Sequence, residues 1–186
     1  MVSFGTIREI QPDEVELMLA WRNAPSVRQN MYTNHVITLA EHLKWWESTK
    51  QNNKSQYFMF ESNGQPYGII GFTGIDRLNR CTSWAFYAAP GSPRGTGSKM
   101  EFQALEYAFN TLKLNKIFCE VLSFNAAVIK LHKKFGFVEE GVFRQQHLVD
   151  GIFTDVHRLG LLESEWAEQK SAVRSRLEKL FKIPKE

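Results

Sequence analysis

SPRGTGSKM, residues 92–100, sets Gly95 and Gly97 between an arginine and the start of an apolar helical pattern. From Gly97 onward Met100, Ala104, Leu105, Ala108, Phe109 and Leu112 recur at three- and four-residue spacing, which predicts a helix. Just upstream, RCTSWAFYAA (80–89) reads as a strand. Strand, glycine loop and helix together make an anion site: glycines let backbone amides approach a ligand, and the first helical turn presents free N–H groups and a positive dipole end. The stretch matches neither GxxxxGK[ST] nor a GxGxxG inside a parallel βαβ unit, so a triphosphate is disfavoured. A glycine pair alone is equally a plain strand-to-helix turn. The order of elements around it decides.

Upstream, FGTIREI (4–10) alternates like an edge strand, and Pro12-Asp13 opens a helix with Val15, Leu17, Met18, Leu19 and Trp21 on its apolar side. Pro25 ends it near WRNAP. A second helix starts in TLAEHLKWWE (38–47), where Thr38 and Glu41 form a capping box and Leu39, Leu43 and Trp46 share a face. SQYFMFESNGQPYGIIGFTGID (55–76) turns at Asn63-Gly64 as a hairpin. Downstream come a buried strand, KIFCEVLSF (116–124), and a short helix, NAAVIKLHKKFGF (125–137), capped by Asn125 and stopped near Gly136. A last hairpin, GVFRQQHLVDGIFTDVHRLGLL (141–162), turns at Asp150-Gly151. The expected class is α/β (α+β), a mixed central sheet of six to seven strands flanked by helices. Residues 1–166 form the domain, and 167–186 a helical tail with Val173, Leu177, Leu180 and Phe181 on one side, packed on its own domain or on a second copy in a homodimer.

Composition bounds the rest. With 186 residues, 43% hydrophobic and 13% aromatic, the chain supports one cored domain. Its 23 basic and 20 acidic residues are mixed along the chain, and no basic stripe with interleaved aromatics marks a nucleic-acid surface. Cys81 and Cys119 have no CxxC spacing and read as buried, reduced thiols. The histidines show no HxH or HExxH spacing, so no metal is expected. The first residues lack a basic region followed by an apolar one, and no window of 18 residues is uninterruptedly apolar. A cytoplasmic protein with no membrane attachment is expected.

The order of elements, RGTGSK before a helix, and NAAVIKLHKKFGFVEEGVFR downstream resemble the GCN5-related N-acetyltransferase (GNAT) superfamily over roughly residues 3–166. The resemblance implies acetyl-CoA as donor. Members carry [QR]xxGx[GA]; Arg94 and Gly97 match it, while Lys99 replaces the last small residue. By that likeness Arg94, Gly95, Thr96, Gly97, Ser98 and Lys99 would hold the pyrophosphate, and Phe86, Tyr87, Ala88 and Asn125 the pantetheine arm. The segment WRNAPSVRQNMYTNHVITLAEHLKWW (21–46) is similar to acetyltransferases of bacterial pseudaminic acid biosynthesis, which implies a UDP-linked 4-amino-4,6-dideoxy sugar as acceptor. Arg22 and Arg28 would grip its diphosphate, Met31, Tyr32 and Trp45 would pack on the deoxy methyl or uracil, and His42 would donate a hydrogen bond. The plainer alternative pairs Arg22 with a local carboxylate and leaves Met31, Tyr32 and Trp45 in the core. Competing readings are a polyamine or protein N-terminus as acceptor, and a non-catalytic acetyl-CoA-binding module.

A thioester is activated enough for direct attack by an amine, and neither Cys81 nor Cys119 has a neighbouring His and orienting carboxylate in the sequence, so a ternary complex is expected. Many members place an acidic tyrosine in xLYxKxGF; here KLHKKFGF puts His132 there. An imidazole with an ordinary pKa of about 6.5 suits a general acid. Glu120 is the candidate base, and Ser83 a hydroxyl near the acetyl group.

Overall fold

A computed structural model describes residues 3 to 182. One seven-stranded sheet runs β1(Thr6–Glu9), β2(Ser55–Ser62), β3(Gln65–Asp76), β4(Cys81–Ala88), β5(Lys116–Leu122), β7(Ile152–Leu162), β6(Val138–Val149) in spatial order. Helices α1(Val15–Asn23), α2(Pro25–Arg28), α3(Leu39–Gln51), α4(Thr96–Glu106), α5(Ala126–Lys134) and α6(Glu163–Lys182) flank it. β1 is an edge strand, as its alternation indicates. Both hairpin turns use two consecutive left-handed residues, φ 53° and 73° at Asn63-Gly64 and φ 50° and 82° at Asp150-Gly151. That geometry matches the strand twist, which is why those dipeptides close hairpins.

Every neighbouring pair of strands is antiparallel except β4 and β5. These two pair in parallel only from Cys81↔Lys116 to Ser83↔Phe118. Beyond that point Trp84–Ala88 stay on β3, while Cys119–Leu122 stay on β7. The sheet therefore splits into a V with two unpaired backbone edges. Buried groups of that kind need partners, so the split is the natural place for a ligand.

Three local expectations change. A short helix, α2, follows Pro25, which suits the first helical position because proline lacks the N–H that would be orphaned there. On α3, Leu39 and Leu43 face solvent and the buried residue is His42; Trp46, one turn on, packs on Met18, Met59 and Ile69. The helix is thus rotated so that its 42–46 stripe, not 39–43, faces the sheet. Cys119 is buried, but Cys81 is only partly so.

The C-terminal helix starts at Glu163, directly after β7, with Glu165 accepting the Leu162 N–H at 2.9 Å. A boundary between 166 and 167 falls inside it. Trp166, Val173 and Leu177 sit in the main core, Trp166 edge-on to Phe102, and the Trp166 indole donates to Glu106 at 3.1 Å. The helix packs on its own domain. Leu180, expected on the packed side, is exposed, and residues 183–186 lie outside the described residues. Among the described residues no helix is long and apolar enough to cross a membrane.

Candidate active site

The V between β4 and β5 opens into a cavity of about 520 Å³, walled by Phe86, Tyr87 and Ala88, by Gly95, Thr96 and Gly97, and by Asn125 and His132. Gly95 is the N-cap of α4 with φ +92°, a left-handed conformation that disfavours any side chain. The Thr96 amide donates to Pro93 and that of Lys99 to Gly95, leaving the amides of Gly97 and Ser98 without a protein acceptor among the described residues. No acidic residue occupies the first turn. An anion at this helix end would take both free amides and the dipole. Asn125 holds the N-cap position of α5, but its side chain makes no capping bond and is free at the cavity wall.

Arg94 is exposed, and Arg94, Ser98 and Lys99 do not line this cavity. Lys99 turns instead toward α6, its Nζ 4.6 Å from the centroid of the Phe181 ring. A Cβ on Gly95 would come within 2.5 Å of the same ring. Phe181 therefore braces the glycine loop from behind. Phe181→Ala is expected to raise the KM for acetyl-CoA several-fold with little change in kcat, measured by initial-rate kinetics; unchanged KM would show that the loop needs no brace.

His132 lies at the inner end of the cavity, 2% exposed, with Nδ1 2.8 Å from Oε1 of the fully buried Glu101. Burial disfavours its charged form, but the Glu101 carboxylate, with Cys119 also beside the ring, outweighs this and pushes His132 up to about 10. No histidine or orienting carboxylate stands near Cys119 in the sequence; residues 101, 119 and 132 converge only through the packing of α4, β5 and α5. Glu120 lines the same cavity on its solvent side, accepting from Tyr32 Oη at 2.9 Å and Arg158 Nη1 at 3.1 Å. Ser83 stays at the last paired position of β4 and lines neither this cavity nor its neighbour.

The neighbouring cavity, about 410 Å³, shares Met31, Ala85, Phe86 and Tyr87 with the first, so the two meet across β4. Arg22, His42 and Trp45 line it; Arg28 and Tyr32 do not. Arg22 Nη2 donates to the Thr33 carbonyl at 2.8 Å, and its Nη1 is buried with no partner among the described residues. Among the described residues no carboxylate pairs with it, so the local ion-pair alternative fails. Arg28 donates to the Asn34 carbonyl, which makes it a brace of the 29–37 loop. His42 Nε2 lies 3.0 Å from the Val15 carbonyl, and burial lowers its pKa. A carbonyl only accepts, so Nε2 carries the proton and the neutral ring offers Nδ1 as an acceptor, not as the expected donor. Trp45 stacks on His42 at 5.3 Å. Glu41, the carboxylate on this wall, is occupied by the Thr38 capping box.

Residues 6–138 match the family described as acetyltransferase (GNAT) domain. The chain belongs to the GNAT family. Acetyltransferase PseH of Campylobacter jejuni (strain 81-176) is 29% identical over 134 residues, 72% of this chain and 83% of that protein. Spermidine N(1)-acetyltransferase of Vibrio cholerae is 26% identical over 116 residues, 62% of this chain and 67% of that protein. The crystal structure of spermidine N-acetyltransferase from Vibrio cholerae in complex with CoA and spermine superposes with a TM-score of 0.82 at 22% identity, covering 87% of this chain and 97% of that one.

This GNAT chain is an N-acetyltransferase, and acetyl-CoA is its donor. The residues present fit that donor: two free amides at a left-handed glycine, and an unpaired β4 edge leading from them to His132. Among the described residues no cluster of His, Cys, Asp and Glu is arranged to hold a metal ion. Glu101 and Tyr57 escape sequence reading. Glu101 sits in an apolar helical stripe with nothing to mark it, and Tyr57, a wall of the second cavity, looks like any strand aromatic.

Proposed function

We propose that the chain acetylates the 4-amino group of a UDP-linked 4-amino-4,6-dideoxy sugar, the UDP-4-amino-4,6-dideoxy-N-acetyl-β-L-altrosamine of pseudaminic acid biosynthesis. The observation that carries this is Arg22, a half-buried guanidinium whose Nη1 has no partner and which meets no carboxylate among the described residues, on the wall of the cavity that meets the donor cavity across β4. A diphosphate is the missing partner for such a group. The similarity to PseH agrees. A polyamine would need free carboxylates where this wall carries Arg22, His35, His42 and the already engaged Glu41. The spermidine acetyltransferase relatives make that acceptor the second reading.

Bound acetyl-CoA supplies an activated thioester that a free amine attacks without a protein nucleophile. Passing the acetyl group to Cys119 would exchange one thioester for another of similar reactivity, which favours direct transfer. The Gly97 amide at the N-terminal end of α4 holds the pyrophosphate, the β4 edge and Asn125 orient the arm, and His132 Nε2 gives a proton to the departing thiolate. Glu120, or His42 through Nδ1, takes the proton of the amine. Thiol release measured with the altrosamine nucleotide, other UDP-amino sugars, spermidine and N-terminal peptides tests the reading. Turnover with spermidine and none with any sugar nucleotide would overturn it. An acetyl group found on Cys119 by mass spectrometry, after mixing with acetyl-CoA alone, would overturn direct transfer.

A further inference from the structure

Behind the cavity wall lies a carboxylate, Glu101, that lines neither cavity. Glu101 is fully buried on α4 among Met100, Phe102 and Ala104. One carboxylate oxygen, Oε1, meets His132 Nδ1 at 2.8 Å, and the other, Oε2, has no partner among the described residues. Aromatic rings pack against the imidazole: Trp84 at 5.4 Å, Phe86 at 6.1 Å and Phe137 at 5.1 Å between centroids. An apolar pair of similar volume would fill this space at no electrostatic cost, so stability does not account for a carboxylate here. With Nδ1 engaged, Nε2 is the ring nitrogen left to the cavity that His132 lines.

We propose that Glu101 is the positioning residue of the acyl transfer: through Oε1 it aims His132 Nε2 at the cavity and keeps on the pair the proton that His132 delivers to the departing thiolate. This rests on the reading of His132 as the acid. The amine loses one proton as it becomes an amide and the thiolate gains one, so the pair returns to its starting state when it recovers a proton. Nothing is oxidised or reduced.

The groups facing the pair fit that role. From β5 the Cys119 thiol lies beside the imidazole, and from α6 Arg176 favours the ionised form of Glu101 while donating to the Lys134 carbonyl. From β4 the Trp84 and Phe86 rings approach, and on α5 itself Lys133 is paired with Glu139. Burial pushes the Glu101 carboxyl up, and Glu101 holds His132 up, so both partners retain a shared proton through neutral pH.

Glu101→Gln keeps the shape and an acceptor for Nδ1–H but removes the charge. Its kcat at pH 8 is expected to fall at least about tenfold, with KM for both substrates unchanged, because loss of a working acid costs roughly 10²–10⁴ in rate. Its kcat should also decline with an alkaline limb moved to lower pH, since the carboxylate that offsets burial of His132 is gone; the wild-type limb lies near pH 10. A Glu101→Gln enzyme with wild-type kcat and pH profile overturns the proposal while His132→Phe, if inactive, preserves His132 as the acid. Full turnover by His132→Phe removes the acid and the proposal together. Should Glu101→Gln fail to fold, nitrogen-15 and carboxyl carbon-13 spectra of the wild type decide: one shared proton on the pair at pH 7.5 supports it, and a neutral imidazole beside an ionised carboxylate overturns it.

Discussion

His132→Phe should lower kcat by about 10²–10⁴ and leave the KM for acetyl-CoA nearly unchanged, the signature of a lost general acid rather than a lost binding contact. Phenylalanine fills the aromatic nest made by Trp84, Phe86 and Phe137, so the cavity keeps its shape. Stopped assays over a range of donor concentrations measure both constants. Full turnover with an unchanged pH profile would remove His132 from the chemistry. The same variant leaves Glu101 buried without its partner, and a charged orphan of that kind costs about 3–5 kcal/mol. Burial already raises the Glu101 pKa, so in this variant the carboxyl folds protonated. A group whose folded pKa lies above its unfolded one stabilises the fold below the unfolded value and withdraws that stability as pH rises. The wild type holds the stabilisation from the raised His132 pKa up to neutral pH and loses it toward pH 10. Thermal unfolding should therefore show the variant closest to wild type in Tm near pH 4, furthest below it around neutral pH, and closing on it again in alkali.

Arg22→Ala should raise the KM for the sugar nucleotide roughly 10- to 100-fold, since a hydrogen bond to a charged group contributes about 1.5–3 kcal/mol, with the KM for acetyl-CoA unaffected. Arg22 lines the second cavity and not the first, so the two substrates separate cleanly in this test. Arg22 also holds the Thr33 carbonyl. Arg28→Ala, which removes a brace of the same loop without touching the cavity, is the control. Equal losses in the two variants would assign the effect to loop order, and an equal rise in both KM values would end the case for an anionic acceptor.

Much of this was legible from local rules. Asn63-Gly64 and Asp150-Gly151 announce their hairpins because few other residues take consecutive positive φ, and Thr38 with Glu41 announces a helix start by satisfying each other's backbone amides. The first glycine of RGTGSK marks a backbone that must turn left-handed at Gly95, where a Cβ would also meet the Phe181 ring. His42 was legible as a site residue but not in its role, because its tautomer depends on the Val15 carbonyl across a helix pair. Lys99, which the sequence places at the pyrophosphate, turns to Phe181, a residue 82 positions away whose approach no local pattern encodes.

The sequence by itself determined the elements, their order and the anion-binding turn, because helix caps, hairpin dipeptides and hydrophobic periods are interactions between residues a few positions apart. Only the tertiary structure decided where the sheet splits, which face of α3 is buried, and that Glu101, Cys119 and His132 meet at one end of the split. Those outcomes depend on three elements packing at once. A glutamate in an apolar stripe becomes part of an active site only when a histidine 31 residues further on is carried by another helix to within 2.8 Å of it.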